Sequence, residues 1–513
     1  MLAAMFHLLL ALAGLSALVP AHAQTVLVKP YVQPADDGTA GPTDQKQLVW
    51  FTDQVPGEFA VEYRTGTTAA MSRATPTRAA LAIAEPPPSQ FFFREPPTGH
   101  KLFKYTAALT NLALDSRVSY RVTLRGETIR TNSFATRKSP ARPLRFTVAG
   151  DMADGQPDQR KIACEIAKAQ PDLMLVVGDI VYPSGTISEY LHHFWNEYNN
   201  TENADPARGA PVMASVPWYA VLGNHDVWSH NLSYQPDGLA AFYFFHAPAN
   251  GPKKLSPYLS QFRSLEFSMS ARAWTNTITG FLPVTGPPAQ VEAFKLAAGG
   301  TYPGLCFYSF ENGPALFLCL DANSYTNPTD PLLHAWIRQR LTQTKARWKF
   351  VFFHHPGFHS SAMHYEDQRM RLLAPVFEAG GVDMVFSGHI HNYQRSRPLR
   401  FQPVAGDKWS ERGLVDGKFT IDNDFDGAKK TTPAGIIYIV SGGGGADLYN
   451  YPLENYTLSR DFYKDNWAPF TAKTVSDRHS FTSVEVDADT LTLRQIDEDG
   501  AEIERVKVTK PGK

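Results

Sequence analysis

Five short apolar runs, at residues 145–149, 173–177, 219–222, 350–353 and 384–386, constrain this chain more than any other feature. Each is short and mostly apolar, the pattern of a strand buried on both faces. Between them, segments 159–169, 332–341 and 370–377 carry apolar residues at helical spacing. Strands alternating with helices make this region α/β rather than all-β. Each run also ends in polar residues: Gly150-Asp151, Gly178-Asp179-Ile180-Val181-Tyr182, Gly223-Asn224-His225-Asp226, His354-His355-Pro356 and Gly388-His389-Ile390-His391. In open α/β sheets ligands bind beyond the carboxyl ends of strands, so carboxylate, phenol, amide and imidazole groups should gather in one place. A glycine before the polar residue lets the backbone turn sharply and approach an ion.

One Asp or His after a strand is ordinarily a turn residue or a cap. Five such elements in one region read instead as a ligand set. The set contains no thiolate, which excludes a zinc finger, and its oxygen donors and imidazoles suit iron, manganese or zinc. It is too large for one tetrahedral ion and suits two ions sharing a carboxylate. Ions spaced about 3.5–4 Å apart clamp the attacking and leaving oxygens in phosphatases.

The remainder of the chain frames this region. Its 513 residues suggest two or three domains. Residues 8–15 are an apolar run too short to span a bilayer at about 20 residues, and Ala21-His22-Ala23 precedes Gln24 as a small-x-small cleavage site. Residues 1–23 therefore read as a signal peptide and the protein as exported, periplasmic or extracellular, with no membrane span after removal of the signal. From residue 24 to about 141, β-prone runs at 47–51, 58–63, 104–109, 119–124 and 129–134 are separated by turn residues, which predicts an antiparallel β-sandwich. Arg137-Lys138-Ser139-Pro140-Ala141-Arg142-Pro143 reads as a linker to a catalytic region at 142–513. The 49 basic and 50 acidic residues leave a net charge of -1, which asks for no nucleic-acid partner.

The five blocks resemble those of the purple acid phosphatases within the calcineurin-like metallophosphoesterases. Gly388-His389-Ile390-His391-Asn392-Tyr393-Gln394-Arg395 is especially similar to the Gly-His-x-His-x-Tyr-Glu-Arg block of that family. The resemblance implies a metallophosphoesterase-type β-sandwich flanked by helices. The N-terminal sandwich would be fibronectin type III-like, because Leu112-Ala113-Leu114-Asp115-Ser116-Arg117-Val118-Ser119-Tyr120-Arg121-Val122 resembles the penultimate-strand region of such domains. It further implies two metal ions, with Asp151, Asp179, Tyr182 and His391 on Fe(III). Asp179 would bridge to a divalent ion (Zn, Mn or Fe) completed by Asn224, His354 and His389. His225 and His364 would face the substrate as catalytic residues without binding metal; His364 follows His354 by ten residues, as in plant-type members. The implied activity is hydrolysis of a small phosphate monoester, as an acid phosphatase, by a metal-bound hydroxide.

This chain departs from the family's Asp-x-Gly at Asp151-Met152-Ala153. Were positive φ needed there, alanine would cost about 1 kcal/mol. Asp154, beside Gly155, is an alternative first ligand. General metallophosphoesterases place a ligating histidine where Ala153 stands, and Tyr182 three residues after Asp179 would fill that vacancy. Other readings stay open: a phosphodiesterase or nucleotide or lipid phosphoesterase on the same core, a manganese or zinc enzyme in which Tyr182 binds no ferric ion, and a non-catalytic metal-binding or adhesive exported protein. Long excursions at about 230–300 and 401–433 would shape substrate choice, and the sequence names neither a substrate nor an oligomeric state.

Weaker signals complete the survey. Cys306 and Cys319 flank Asn312-Gly313, a hairpin turn signal. Pairing Glu311 with Pro314 would set the two cysteines opposite each other, giving either a cross-strand disulfide or two buried thiols. Asp422-Asn423-Asp424-Phe425-Asp426-Gly427 opens like a calcium loop, but its twelfth position is Pro433 rather than Glu, so it reads as an acidic turn. Gly442-Gly443-Gly444-Gly445 reads as a flexible turn, His192 and His193 as surface histidines or part of a substrate entrance, and Asn199, Asn231 and Asn455 as sequons.

Overall fold

The computed structural model describes residues 24–67, 70–83, 101–228, 230–259, 277–278, 280–404, 413–449 and 468–511. The expected signal peptide at 1–23 and the sequon at Asn455 lie outside them. Among the described residues no helix is long and apolar enough to cross a membrane.

The N-terminal strands form two antiparallel sheets. One orders Val26–Pro34, Thr43–Asp53, Lys101–Ala113 and Thr77–Ala82; the other orders Ser72–Ala74, Phe59–Thr65, Arg117–Leu124 and Glu127–Ala135. Period-2 alternation decides what each strand buries. In Arg117–Leu124, Val118, Tyr120 and Val122 point into the sandwich while Arg117 and Arg121 stay exposed. In Thr43–Asp53, Leu48 and Trp50 enter the same core, and Val49 and Phe51 turn the opposite way into the core of the following region. Tyr31 and Tyr120 strengthen this contact by donating hydrogen bonds to the carbonyls of Phe244 and Ala214, both at 2.7 Å.

The following region is α/β, built on two facing sheets. The six-stranded sheet orders Trp218–Ala220, Leu173–Val176, Leu144–Ala149, Ser480–Val486, Thr490–Asp497 and Glu502–Thr509. Its first three strands are parallel and its last three join antiparallel. The seven-stranded sheet orders Phe307–Asn312, Ala315–Leu320, Trp348–Phe352, Met384–Ser387, Ile437–Ser441, Tyr393–Ser396 and Thr471–Val475. The four from Ala315–Leu320 to Ile437–Ser441 run parallel. Phe146 of the first sheet packs against Phe317, Phe350 and Phe386 of the second, with ring centroids 5.2, 5.4 and 5.9 Å away. Burying one such ring stabilises by about 1.5–3 kcal/mol. Four of the five apolar runs are therefore central strands and the fifth, Trp218–Ala220, is the edge strand of its sheet; the carboxyl ends of all five open on one rim between the sheets.

Helices Asp158–Ala169 and Pro331–Gln343 cover the outer faces; the second is capped by Asp330, which accepts from Leu332 N at 2.8 Å. The expected helix at 370–377 instead begins as a 3₁₀ turn, Arg369–Leu373, and becomes α-helical over Ala374–Gly380. Pro375 has no amide to continue an α ladder from the preceding turn, so the α-helix starts around it.

The hairpin register corrects the sequence reading. Asn312 pairs with Ala315 and Tyr308 with Cys319, so the two-residue loop is Gly313-Pro314. Gly313 takes the positive φ of 57° at the first loop position. Moving the turn by one residue moves every partner by two, and Cys306 is not opposite Cys319. All three cysteines are free and buried. The excursions are also less irregular than expected: 401–433 contains Gly417–Ile421, which pairs with Leu399–Pro403, and 230–300 contains the helix Pro288–Ala298.

Candidate metal centre

The strand ends converge on one buried cluster. The Tyr182 Oη lies 3.1 Å from Asp151 Oδ1, 3.1 Å from Asp179 Oδ2 and 3.0 Å from His391 Nε2. On the other side of Asp179, the same Oδ2 is 3.2 Å from His354 Nε2, which is 3.1 Å from Asn224 Oδ1. Asp179 thus touches both halves of the expected ligand set. His389 lies alongside, its ring centroid 5.0 Å from that of His354.

The backbone carries unusual conformations to achieve this. Asp151, Asp179 and His389 adopt φ of 56°, 48° and 69°, a region that costs side-chain-bearing residues of order 1 kcal/mol or more. Ala153 is not among the residues with positive φ; it forms a parallel bridge with Val181, and its carbonyl accepts from Tyr182 N at 2.9 Å. The strain sits on the carboxylate residues, and Ala153 seats the tyrosine loop. Asp154 turns away, accepting from Gln156 N at 2.9 Å in a local turn. The glycines are required sterically. A Cβ on Gly223 would fall 2.0 Å from Asp179 Oδ1, and one on Gly388 would fall 2.6 Å from Asp151 Oδ2.

Hydrogen bonds aim the side chains. His354 and His391 direct Nδ1 to the carbonyls of Val177 and Asp447, both at 2.7 Å, leaving each Nε2 for the cluster. Asp179 Oδ1 accepts from His225 N at 2.8 Å, and Asp151 Oδ2 from His389 N at 2.8 Å. His225 directs Nδ1 to the Pro183 carbonyl at 2.6 Å and rests its ring between Tyr182 and Trp228. His364, at φ 57°, sits at the mouth with its Nε2 3.3 Å from the Tyr449 hydroxyl.

The electrostatics suit cations. Burial pushes the Asp151 carboxyl well above the usual range. Burial acts the same way on Asp179, but the His354 and His225 imidazoles outweigh it and hold that carboxyl low. Burial lowers His354, and Asp179 more than reverses this, to about 9, so a cation held at Asp179 would have to displace the His354 proton. Burial pushes His391 down to about 3 and His389 well below its usual range, so both are neutral, the form that ligates metal. Burial and then the two carboxylates push the Tyr182 phenol well up. A phenol wedged between carboxylates ionises only if a cation joins them. Asp151, Asp179 and His354 each offer a ligand atom within 4.8 Å of the others. The donors fit a pair of ions sharing Asp179.

Several contacts around the cluster were not legible in the sequence. Tyr449 stacks on His391 at 4.2 Å between centroids, and its amide donates to the His391 carbonyl at 3.0 Å. Gly442–Gly445 is not a loose turn: Gly444 N donates to Gly150 O at 3.1 Å, and a Cβ on Gly442 would fall 2.7 Å from Asp151 Oδ2. The run follows strand Ile437–Ser441, a sixth strand end on the same rim, which was its one sequence signal. Asp226 is buried and accepts from Gly223 N and Ile180 N at 2.8 and 3.1 Å, tying two of the blocks together. Elsewhere, Asp422 and Asp426 are occupied by backbone amides of their own turn. Asn199 is fully buried, its side-chain amide donating to Lys29 O, which leaves no room for a glycan. His192 is exposed, whereas His193 Nδ1 lies 3.3 Å from the Tyr182 carbonyl.

Comparisons with known proteins agree with this architecture. Residues 144–393 match the model of the calcineurin-like phosphoesterase family. Purple acid phosphatase 18 of Arabidopsis thaliana is 24% identical over 341 residues, 64% of this chain and 57% of that protein. Purple acid phosphatase 1 of Ipomoea batatas is 23% identical over 382 residues, 71% of this chain and 65% of that protein. In both cases the match spans less than two thirds of the relative's own length. Among solved structures, a purple acid phosphatase from yellow lupin (Lupinus luteus) seeds aligns with a TM-score of 0.58 at 16% identity, covering 94% of this chain and 74% of that one. That likeness concerns the fold.

Proposed function

Because residues 144–393 form a calcineurin-like phosphoesterase domain, we propose that this chain is a hydrolase of small phosphate monoesters working through two metal ions, one of them ferric. The observation that carries the reading is the Tyr182 Oη held within 3.1 Å of Asp151, Asp179 and His391. Those four residues would hold Fe(III). Asp179, Asn224, His354 and His389 would hold a divalent zinc, manganese or iron. Such a pair supplies an acidified water and a clamp for the phosphoryl oxygens. In this reading the region 24–141 is a separate fibronectin type III-like domain that supports the catalytic domain at 142–513.

The chain's own groups complete the reaction. His225, with Nδ1 committed to Pro183, presents Nε2 to a phosphate oxygen. His364 at the mouth protonates the departing alkoxide, and Tyr449 beside it limits its swing. The test is a panel of phosphate mono- and diesters assayed alongside metal analysis. Monoester turnover with about two metal ions per chain, iron among them, is the expected result; diester preference or an iron-free active enzyme would overturn it. His364→Ala is expected to keep its metal and lose about 10²–10⁴-fold in turnover of alkyl phosphates, with a smaller loss for esters whose leaving group needs no proton. Unchanged alkyl phosphate turnover would remove His364 from this role.

A further inference from the structure

Asp367 has no part in the two-ion scheme, yet it faces two of its residues. It closes the turn that begins at His364, its amide donating to the His364 carbonyl at 2.9 Å. Its Oδ2 lies 3.1 Å from His389 Nε2 and 3.7 Å from His364 Nδ1. The His389 ring is flanked by His364 and His355, with centroids at 4.1 and 4.3 Å, so it has little freedom to turn away.

A neutral imidazole carries one N–H and one lone pair. His354 and His391 give Nδ1 to a backbone carbonyl and keep Nε2 for the cluster. His389 is oriented the other way round: its Nε2 faces a side-chain carboxylate, which leaves Nδ1 as the ligating atom. A carboxylate raises the basicity of the imidazole it binds, and loss of such a partner weakens metal affinity about 10–100-fold.

We propose that Asp367 is a positioning residue that sets the divalent-ion affinity of the second metal position through His389 and at the same time aims His364 at the substrate. The proposal rests on the two-ion reading above. Its consequence is that one turn, His364 to Asp367, couples divalent-ion occupancy to the group that meets the leaving oxygen.

The test is a zinc titration of the iron-loaded full-length chain against a chromophoric chelator, with the visible iron–tyrosine band recorded in parallel. Asp367→Ala is expected to bind zinc about 10–100-fold more weakly with the band unchanged, and Asp367→Glu, which keeps the carboxylate, is expected to restore most of that affinity. Wild-type zinc affinity in Asp367→Ala would overturn the proposal. So would loss of the band together with zinc, since that marks a general collapse of the site. A wild-type chain that takes up iron but no zinc, manganese or second iron would overturn the two-ion reading and this proposal with it.

Discussion

Asp179→Asn folds and binds neither metal ion. The folding half of this expectation follows from the backbone: φ at Asp179 is 48°, and asparagine is among the few residues that tolerate that region. The amide also keeps an oxygen for the His225 N–H, which the carboxylate accepts at 2.8 Å. The metal half follows from position. Asp179 Oδ2 is 3.1 Å from Tyr182 Oη and 3.2 Å from His354 Nε2, so one charged group faces both halves of the site. Removing its charge leaves Asp151 as the one carboxylate contacting Tyr182 among the described residues, which is too little to hold a ferric and a divalent ion together. Loss of the charge stabilisation these ions supply, several kcal/mol, lowers turnover by about 10³-fold or more. Metal content by emission spectrometry decides the matter: close to two ions per chain in Asp179→Asn would show that the bridge is not there.

Tyr182→Phe is expected to abolish visible absorbance in the iron-loaded protein while zinc binding at Asn224, His354 and His389 persists. A phenolate on ferric iron transfers charge in the visible range, whereas carboxylates and imidazoles do not. The substitution removes one oxygen and keeps the ring that packs against His225 at 4.4 Å between centroids, so the loop should hold its shape. Deleting the hydroxyl also removes the donor shared by Asp151 and Asp179. Neither carboxylate is thereby left without an amide partner, since His389 N and His225 N remain. A colourless wild-type iron form, or an unchanged band in Tyr182→Phe, would overturn the ferric assignment and leave a two-metal phosphoesterase of another kind.

Both predictions rest on residues legible in the sequence, because the relevant information is local. A run such as Phe350–Phe353 is short and apolar throughout, which favours a buried strand and places the residues following it at a strand end. The helix at Asp158–Ala169 and the sandwich strands were legible for the same reason, through spacing within a few residues. The failures have two sources: local choices between adjacent turn or helix-start positions, and contacts between distant segments. Moving the Gly313-Pro314 turn by one residue shifted Cys319 from Cys306 to Tyr308. Gly442–Gly445 reads as a loose turn in the sequence, whereas Gly150 and Asp151 pack against it in the structure.

The sequence by itself determined the α/β class of the catalytic region, the two-sheet N-terminal region and the residue types available to a metal. Tertiary structure alone decided which nitrogen of each histidine is left for an ion, that Asp367 stands beside His389 and Tyr449 beside His364, and that positive φ falls on Asp151 and Asp179 rather than on Ala153. The physical reason is range. Burial pattern and turn chemistry act over a few neighbouring residues and are written in their order. Hydrogen-bond partners 22 to 238 positions apart exist only once the fold has formed: Asp367 meets His389 across neighbouring strand ends of one sheet, and His389 meets Asp151 where the rims of the two sheets come together.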